Sequence, residues 1–145
     1  MLRKIQKSDQ EAFLALSKEF YQSDAVSHPV PESYHLRAFQ EMMRSDAYLE
    51  GYIFELEGQI VGYALTAKTF SPEAGGMALW LEEVYIRPAF RSHGLGREFF
   101  EYVEALEGFA RLRLEVAPEN TRAIQLYERL GYQPLDYLQR VRDRG

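Results

Sequence analysis

The chain has 145 residues, 46% of them hydrophobic and 14% aromatic, which suffices for one ordinary core and predicts a single domain over 1–145. With 22 acidic against 17 basic side chains and a net charge of -5, a basic face for nucleic acid or an anionic membrane is not expected. Cysteine is absent, which excludes disulfides, thiolate metal sites and a cysteine nucleophile; no run approaches the roughly 20 apolar residues that cross a bilayer, so the expected compartment is the cytoplasm.

In chain order, Leu2 to Gln6 reads as a short strand, and Ser8-Asp9-Gln10-Glu11 matches the S-x-x-E capping box that opens a helix carrying Phe13, Leu16 and Phe20 at helical spacing. Pro29 and Pro31 break it within Ser23 to Pro31. The helical period resumes from Glu32 to Arg44 with Leu36, Phe39 and a Met42-Met43 pair that reads as packing. Tyr52 to Leu56 and Ile60 to Thr69, joined at Glu57-Gly58, predict an antiparallel hairpin. Met77 to Ile86, stopped by Pro88, is too long and apolar for an exposed edge and belongs at the centre of a sheet.

Leu95 to Leu106 then places Leu95, Phe99, Tyr102, Val103 and Leu106 on one helical face, with charged residues opposite. Arg111 to Val116 is a further strand, Asn120 caps a last helix ended by Gly131, and Tyr132 to Val141 is expected as a closing β segment. The order βααβββαβαβ predicts an α/β fold of the α+β kind on a mixed sheet. Its strand-helix-strand unit between Met77 and Val116 calls for a right-handed crossover with parallel pairing.

Between the central strand and its helix lies Arg91-Ser92-His93-Gly94-Leu95-Gly96. Glycines there let backbone N–H groups converge on an anion, and the helix dipole adds positive potential. No Walker lysine follows and G-x-G-x-x-G is incomplete, which disfavours a nucleotide-binding or redox protein; a glycine-rich turn without a ligand stays open. Asn120 and Tyr127 stand close to two helical turns apart, on one side and about 10 Å apart along the axis. Tyr127 sits amid Ala123, Ile124, Leu126 and Leu130, so by itself it reads first as a core tyrosine with its hydroxyl satisfied by backbone.

Arg91 to Gly96 resembles the R-x-x-G-x-G signature of the GNAT superfamily of acyl-CoA-dependent N-acetyltransferases, and Asn120 to Tyr132 resembles that family's N-x-x-A-x-x-L-Y-x-x-x-G-[FY] segment at every specified position. The resemblance covers about residues 77 to 132. It implies a GNAT-like acyltransferase fold and acetyl-CoA as acyl donor, with no metal. It implies that the loop at Arg91, Ser92, His93, Gly94, Leu95, Gly96 and Arg97 holds the CoA pyrophosphate and that main-chain groups of Val84, Tyr85 and Ile86 meet the pantetheine arm. Asn120 and Tyr127 would touch the same ligand. In similar proteins the proline-bearing segment that His28 and His35 flank lines the acceptor side, where Tyr21 and Tyr34 would help shape the pocket, and dimerisation is common; for these four, surface or packing roles stay open, and His93 is expected to face solvent.

An alkyl ammonium with a pKa near ~10.4 must lose its proton, at a cost of roughly 4.6 kcal/mol at pH 7. Glu82 and Glu83 are adjacent carboxylates in an apolar strand, where burial favours a base. In a regular strand they face opposite ways, and Glu82, sharing a face with Trp80, Val84 and Ile86, is favoured; a bulge would transfer the role to Glu83, and ion pairing remains the structural alternative for both. Tyr127 is suited to hydrogen-bond or protonate the leaving sulfur.

The expected function is acetyl transfer from acetyl-CoA to a primary amine of a small cationic or amino-acid-like acceptor, by direct attack in a ternary complex. Trp80 to Ile86 looks like the diamine- and polyamine-acetylating branch. Acetylation of a peptide or protein amine is one alternative. A non-catalytic acyl-CoA-binding regulatory module is the other, and retention of Tyr127 with the Glu82-Glu83 pair speaks against it.

Overall fold

A computed structural model of the protein describes residues 1–26 and 28–144, and the chain divides into two compact units, Met1–Glu115 and the chain from Val116 onward. The first unit holds β1 (Leu2–Lys4), α1 (Gln10–Tyr21), α2 (Glu32–Arg44), β2 (Leu49–Leu56), β3 (Gln59–Ser71), β4 (Gly76–Ile86), α3 (Leu95–Ala105) and β5 (Arg111–Leu114). Its strands form one five-stranded sheet in the order β1-β2-β3-β4-β5. Neighbours pair antiparallel up to β4, and β4 pairs parallel with β5, as a helical crossover requires. The expected mixed sheet is present, and β4 sits between two strands as its apolar run demands.

Alternation along the strands sends two sets of side chains to opposite faces. On one face Ile53, Tyr63, Leu65 and Tyr85 pack with Phe13 and Leu16 of α1 and with Phe39 and Met42 of α2. On the other, the Phe99 ring of α3 lies 6.1 Å from Tyr52 and 6.2 Å from Phe54. Met42 is buried while Met43 is 38% exposed, so only the first methionine fulfils the packing expectation. At the hairpin, Glu57 and Gly58 take φ of 52° and 77°, the left-handed pair that a two-residue turn between twisted strands needs.

Two expectations change. Ser8 to Glu11 does not form the capping box: Lys7–Asp9 make a 3-10 turn, and the Asp9 carboxylate accepts from the Gln6 N–H at 2.7 Å. Arg3 also grips that carboxylate with two N–H groups at 2.8 and 2.9 Å and holds its pKa below the usual range, and α1 itself starts without a side-chain cap. The closing β segment expected over Tyr132 to Val141 is not regular structure in the second unit, where Leu138 and Val141 are more than four-fifths exposed. Pro134 removes a ladder donor, and without a hydrogen-bonded neighbour an apolar run has nothing to make it a strand. Among the described residues no helix is long and apolar enough to cross a membrane.

One glycine is demanded by packing alone. A Cβ on Gly62 in β3 would lie 2.3 Å from the Tyr85 carbonyl oxygen and 3.0 Å from the Ile86 Cα, both backbone atoms of β4 that cannot swing away. Gly62→Ala is therefore expected to cost about 1–3 kcal/mol through forced separation of the two strands, read as a fall in the urea midpoint at unchanged m.

Candidate active site

The site begins with a break in register. Leu65 of β3 pairs with Glu83 and Thr66 pairs with Leu81, so Glu82 is an extra residue on β4, a β-bulge. Parallel pairing with β5 ends at the same level, at Leu81 opposite Leu114. Beyond it, Glu82 to Ile86 run on paired with β3, and β5 gives no partner to their other edge. That edge has main-chain N–H and C=O groups to which β5 offers no partner. Of these, the Ile86 carbonyl is already engaged, accepting from Arg91 Nε at 2.8 Å.

The bulge corrects the expected facing of the two carboxylates. Glu82 does not share a face with Trp80, Val84 and Ile86. Register instead puts Glu83 with Trp80 and Tyr85 on the α1–α2 face, beside Leu65 and Tyr63, while Val84 and Ile86 point to the α3 face. One added residue inverts every later assignment along a strand. The bulge that the sequence analysis left open is present, and it places Glu83 rather than Glu82 on the face of Trp80.

Glu83 is half-buried and accepts two phenolic hydrogen bonds, from Tyr63 at 2.6 Å and Tyr21 at 2.5 Å, one on each carboxylate oxygen. Burial, with the Glu83 charge beside them, pushes both phenol pKa values well above their ordinary value, so the tyrosines remain donors. The His35 ring stacks edge-on to Tyr21 at 5.0 Å and shares a 2.6 Å hydrogen bond between its Nδ1 and Ser17 Oγ. Burial lowers the pKa of His35, which favours the neutral ring. Of the residues expected around the acceptor side, Tyr21 and His35 gather at Glu83, whereas His28 is exposed and Tyr34 is 46% exposed with Arg37 over its ring. Tyr63 escaped notice in the sequence because a tyrosine in an alternating strand reads as core.

Glu82 is different in kind. Although the residue as a whole is exposed, protein atoms crowd its carboxyl, and that desolvation, followed by the charges of Glu115 and Glu83, pushes its pKa up. Neither carboxylate has an Arg or Lys partner within ion-pair distance among the described residues. The structural alternative of ion pairing therefore does not hold for Glu82 or Glu83. The ion pair nearby belongs to Glu19 and Arg87 at 2.9 Å, with the Tyr85 hydroxyl donating to Glu19 at 3.1 Å.

The glycine loop opens α3. Gly94 is the N-cap with φ of 80°, and Glu98 N–H closes the first turn on its carbonyl at 3.0 Å. The N–H groups of Leu95, Gly96 and Arg97 precede that bond and so have no acceptor within the helix. Ser92 holds φ of 69°, which costs a residue with a Cβ roughly 1–2 kcal/mol. Such strain persists where the surroundings require a particular backbone. Leu95 is buried and anchors the turn from below. His93 is exposed, as expected, with Nδ1 within 3.1 Å of the Phe90 and Arg91 carbonyls. The Arg91 guanidinium lies 5.9 Å from the Tyr85 ring centre.

Gly96 is the informative residue here. Its φ is not left-handed, and a Cβ built on it meets nothing within 4 Å. Neither backbone conformation nor packing within the chain calls for glycine, and an open approach to the N–H groups is what remains. The turn thus fits a bound diphosphate.

In the second unit, α4 (Thr121–Arg129) is capped as expected: the Asn120 side-chain oxygen accepts from the Ala123 N–H at 3.2 Å. Gly131 with φ of 95° ends it. Tyr127 is half-buried, its phenol pKa is raised by that burial, and its ring meets Tyr132 at 6.2 Å. Among the described residues no cluster of three or more His, Asp or Glu is arranged to hold a metal.

The profile of the acetyltransferase (GNAT) family matches residues 11–132, across both units. A thialysine N-epsilon-acetyltransferase of Bos taurus is 28% identical over 151 residues, 93% of this chain and 85% of its own length. A possible acetyltransferase from Clostridium difficile 630 superposes with a TM-score of 0.82 at 17% identity, covering 99% of this chain and 96% of that one. AAC(6')-Iy, solved with a CoA-containing bisubstrate analogue, gives 0.81 at 20% identity over 100% and 98%.

Proposed function

The chain belongs to the acetyltransferase (GNAT) family and is an acyltransferase, and from that premise we propose that it moves the acetyl group of acetyl-CoA to a primary amine of a small cationic or amino-acid-like acceptor. The observation that carries the donor half is Gly96, a glycine that nothing inside the protein requires, beside free N–H groups at a helix start. The residues proposed to hold the CoA diphosphate are Arg91 to Arg97, with the edge of β4 turned away from β3, at Val84 and the Ile86 N–H, meeting the pantetheine arm; the main-chain groups of Tyr85 are directed to Tyr63 of β3 instead. Acetyl-CoA supplies an activated acyl group, a thioester.

The protein's own residues would do the rest by direct transfer within one ternary complex. Glu83, held by Tyr21 and Tyr63, fixes the acceptor amine, and Glu82, with its raised pKa and open position, takes the proton. Main-chain N–H groups at the bulge face the developing oxyanion. For Tyr127 we infer, from its motif, a hydrogen bond or proton delivered to the departing sulfur. Asn120, whose oxygen already caps α4, keeps its amide N–H groups for the ligand. The family match spans both units, which supports their acting as one catalytic domain over 1–145.

The acceptor half draws support from the thialysine-acetylating relative and from the carboxylates of Glu82, Glu83 and Glu115, close enough at the bulge to act on one another. The decisive experiment follows thiol release from acetyl-CoA against pooled small amines and, separately, peptides. Tyr127→Phe should lower kcat about tenfold, the worth of one hydrogen bond to sulfur, with acetyl-CoA affinity unchanged. Unchanged kcat would remove Tyr127 from the chemistry and with it the joint action of the two units. Tight acetyl-CoA binding without turnover of any amine would favour the regulatory module, and turnover of peptides alone would move the acceptor to a protein.

A further inference from the structure

The α1–α2 face of the sheet carries a cation that the proposed chemistry leaves unused. Arg113 of β5 stands in register with Trp80 of β4, and its guanidinium carbon lies 4.1 Å from the Trp80 ring centre. Both residues are half-buried. Two residues earlier on the same strand, Arg111 is neutralised by Glu73 at 2.9 Å. Arg113 has no such partner: among the described residues no carboxylate comes within ion-pair distance of it. Stacking fixes the plane of the guanidinium and leaves its edge N–H groups to donate to an anion.

The bulge makes this cation relevant to the site. Without the extra residue at Glu82, Trp80 and Glu83 would lie on opposite faces; with it they share one. Along β4 the Cα atoms of Trp80 and Glu83 are at most roughly 10 Å apart for three residues of strand, and the guanidinium lies over Trp80, so carboxylate and cation stand along the same face. One end suits an ammonium and the other a planar oxyanion.

We propose that Arg113, held against Trp80, binds the carboxylate of the acceptor, so that the preferred substrates are amino acids carrying the reactive amine at the end of a several-carbon side chain, rather than plain diamines. This rests on the acetyl transfer proposed above, with Glu83 at the amine end. The acceptor's carboxylate is bound unchanged, and only its distal nitrogen is acylated.

The test compares L-lysine with L-lysinamide and with cadaverine, which lack the carboxylate charge or the whole group. In initial rates of thiol release, wild type should favour lysine about 10–100-fold in kcat/KM, mainly through KM, as one charge-assisted pair allows. Arg113→Gln should bring the lysine-to-lysinamide ratio near one and leave cadaverine unaffected, and Arg113→Lys should recover part of the preference. Calorimetric titration of the same three compounds into the protein saturated with CoA reads the preference without turnover. If no amine is acetylated yet lysine binds through Arg113, the transfer reading fails and the carboxylate site stands. Equal treatment of lysine and lysinamide by wild type, or an equal loss for every acceptor in Arg113→Gln, overturns the carboxylate site itself.

Discussion

Glu82→Gln is expected to lower kcat/KM for the amine roughly 10²–10⁴-fold at neutral pH, the usual worth of a positioned base, while acetyl-CoA binding stays unchanged. The acceptor arrives as an ammonium with a pKa near ~10.4, so deprotonation at pH 7 stands about 4.6 kcal/mol uphill unless a base shares it. Glu82 has the environment for that role, because crowding by protein atoms and the charges of Glu115 and Glu83 raise its pKa toward working pH. The sign follows. The base must be ionised, so activity should fall as pH drops through this raised value. Replacement by Gln should erase that limb of the kcat/KM profile and leave the rise caused by the amine's own deprotonation. Glu83→Gln should instead act chiefly on the acceptor's KM, because it loosens the carboxylate that Tyr21 and Tyr63 hold. Should the acid limb vanish in Glu83→Gln and survive in Glu82→Gln, the two roles are reversed.

Gly96→Asp is expected to abolish measurable acetyl-CoA binding and yet leave the unliganded protein as stable as wild type, or more so. A Cβ there meets nothing within 4 Å, so the fold has room for the side chain. A carboxylate in the first turn of α3 complements the helix dipole by about 0.3–1 kcal/mol, and removing glycine lowers the backbone entropy lost on folding. The same carboxylate would stand where the diphosphate meets the backbone N–H groups, adding like charge and blocking their approach. Gly96→Ala separates the two effects. It should bind acetyl-CoA about 10–100-fold more weakly, the cost of one lost charge-assisted hydrogen bond, with stability raised by up to about 1 kcal/mol. Differential scanning calorimetry with and without acetyl-CoA reads both quantities. Undiminished ligand stabilisation in Gly96→Asp would end the assignment of this turn to the diphosphate.

These two residues differ in how visible they were. Gly96 belongs to a local motif, and a local motif states its meaning in spacing: two glycines at a helix start expose N–H groups whatever the rest of the chain does. The helices and the hairpin were legible for the same reason, since the period of Phe13, Leu16, Phe20 or of Leu95, Phe99, Val103 is a property of neighbours in sequence. The parallel pairing of β4 and β5 followed from them, because a helix between two adjacent strands forces it; the full strand order did not.

The facing of Glu82 and Glu83 could not be read that way. A bulge is decided by how β3 and β4 fit together over a dozen pairs, and one extra residue changes which carboxylate meets Tyr63, Tyr21 and Trp80. The first helix likewise starts without the Ser8 capping box, and the Asp9 carboxylate at its N-cap is turned to the Gln6 N–H and to Arg3, six residues away in sequence but in direct contact in space. The C-terminal run shows the same limit from the other side, since an alternating pattern becomes a strand only when another strand presents its edge. Sequence by itself determined the helices, the hairpin, the central strand and the glycine turn that opens α3, because those depend on periodicity and backbone freedom within a few residues. Tertiary structure alone decided which charged and aromatic side chains share a face of the sheet, because strand register is settled between segments distant along the chain.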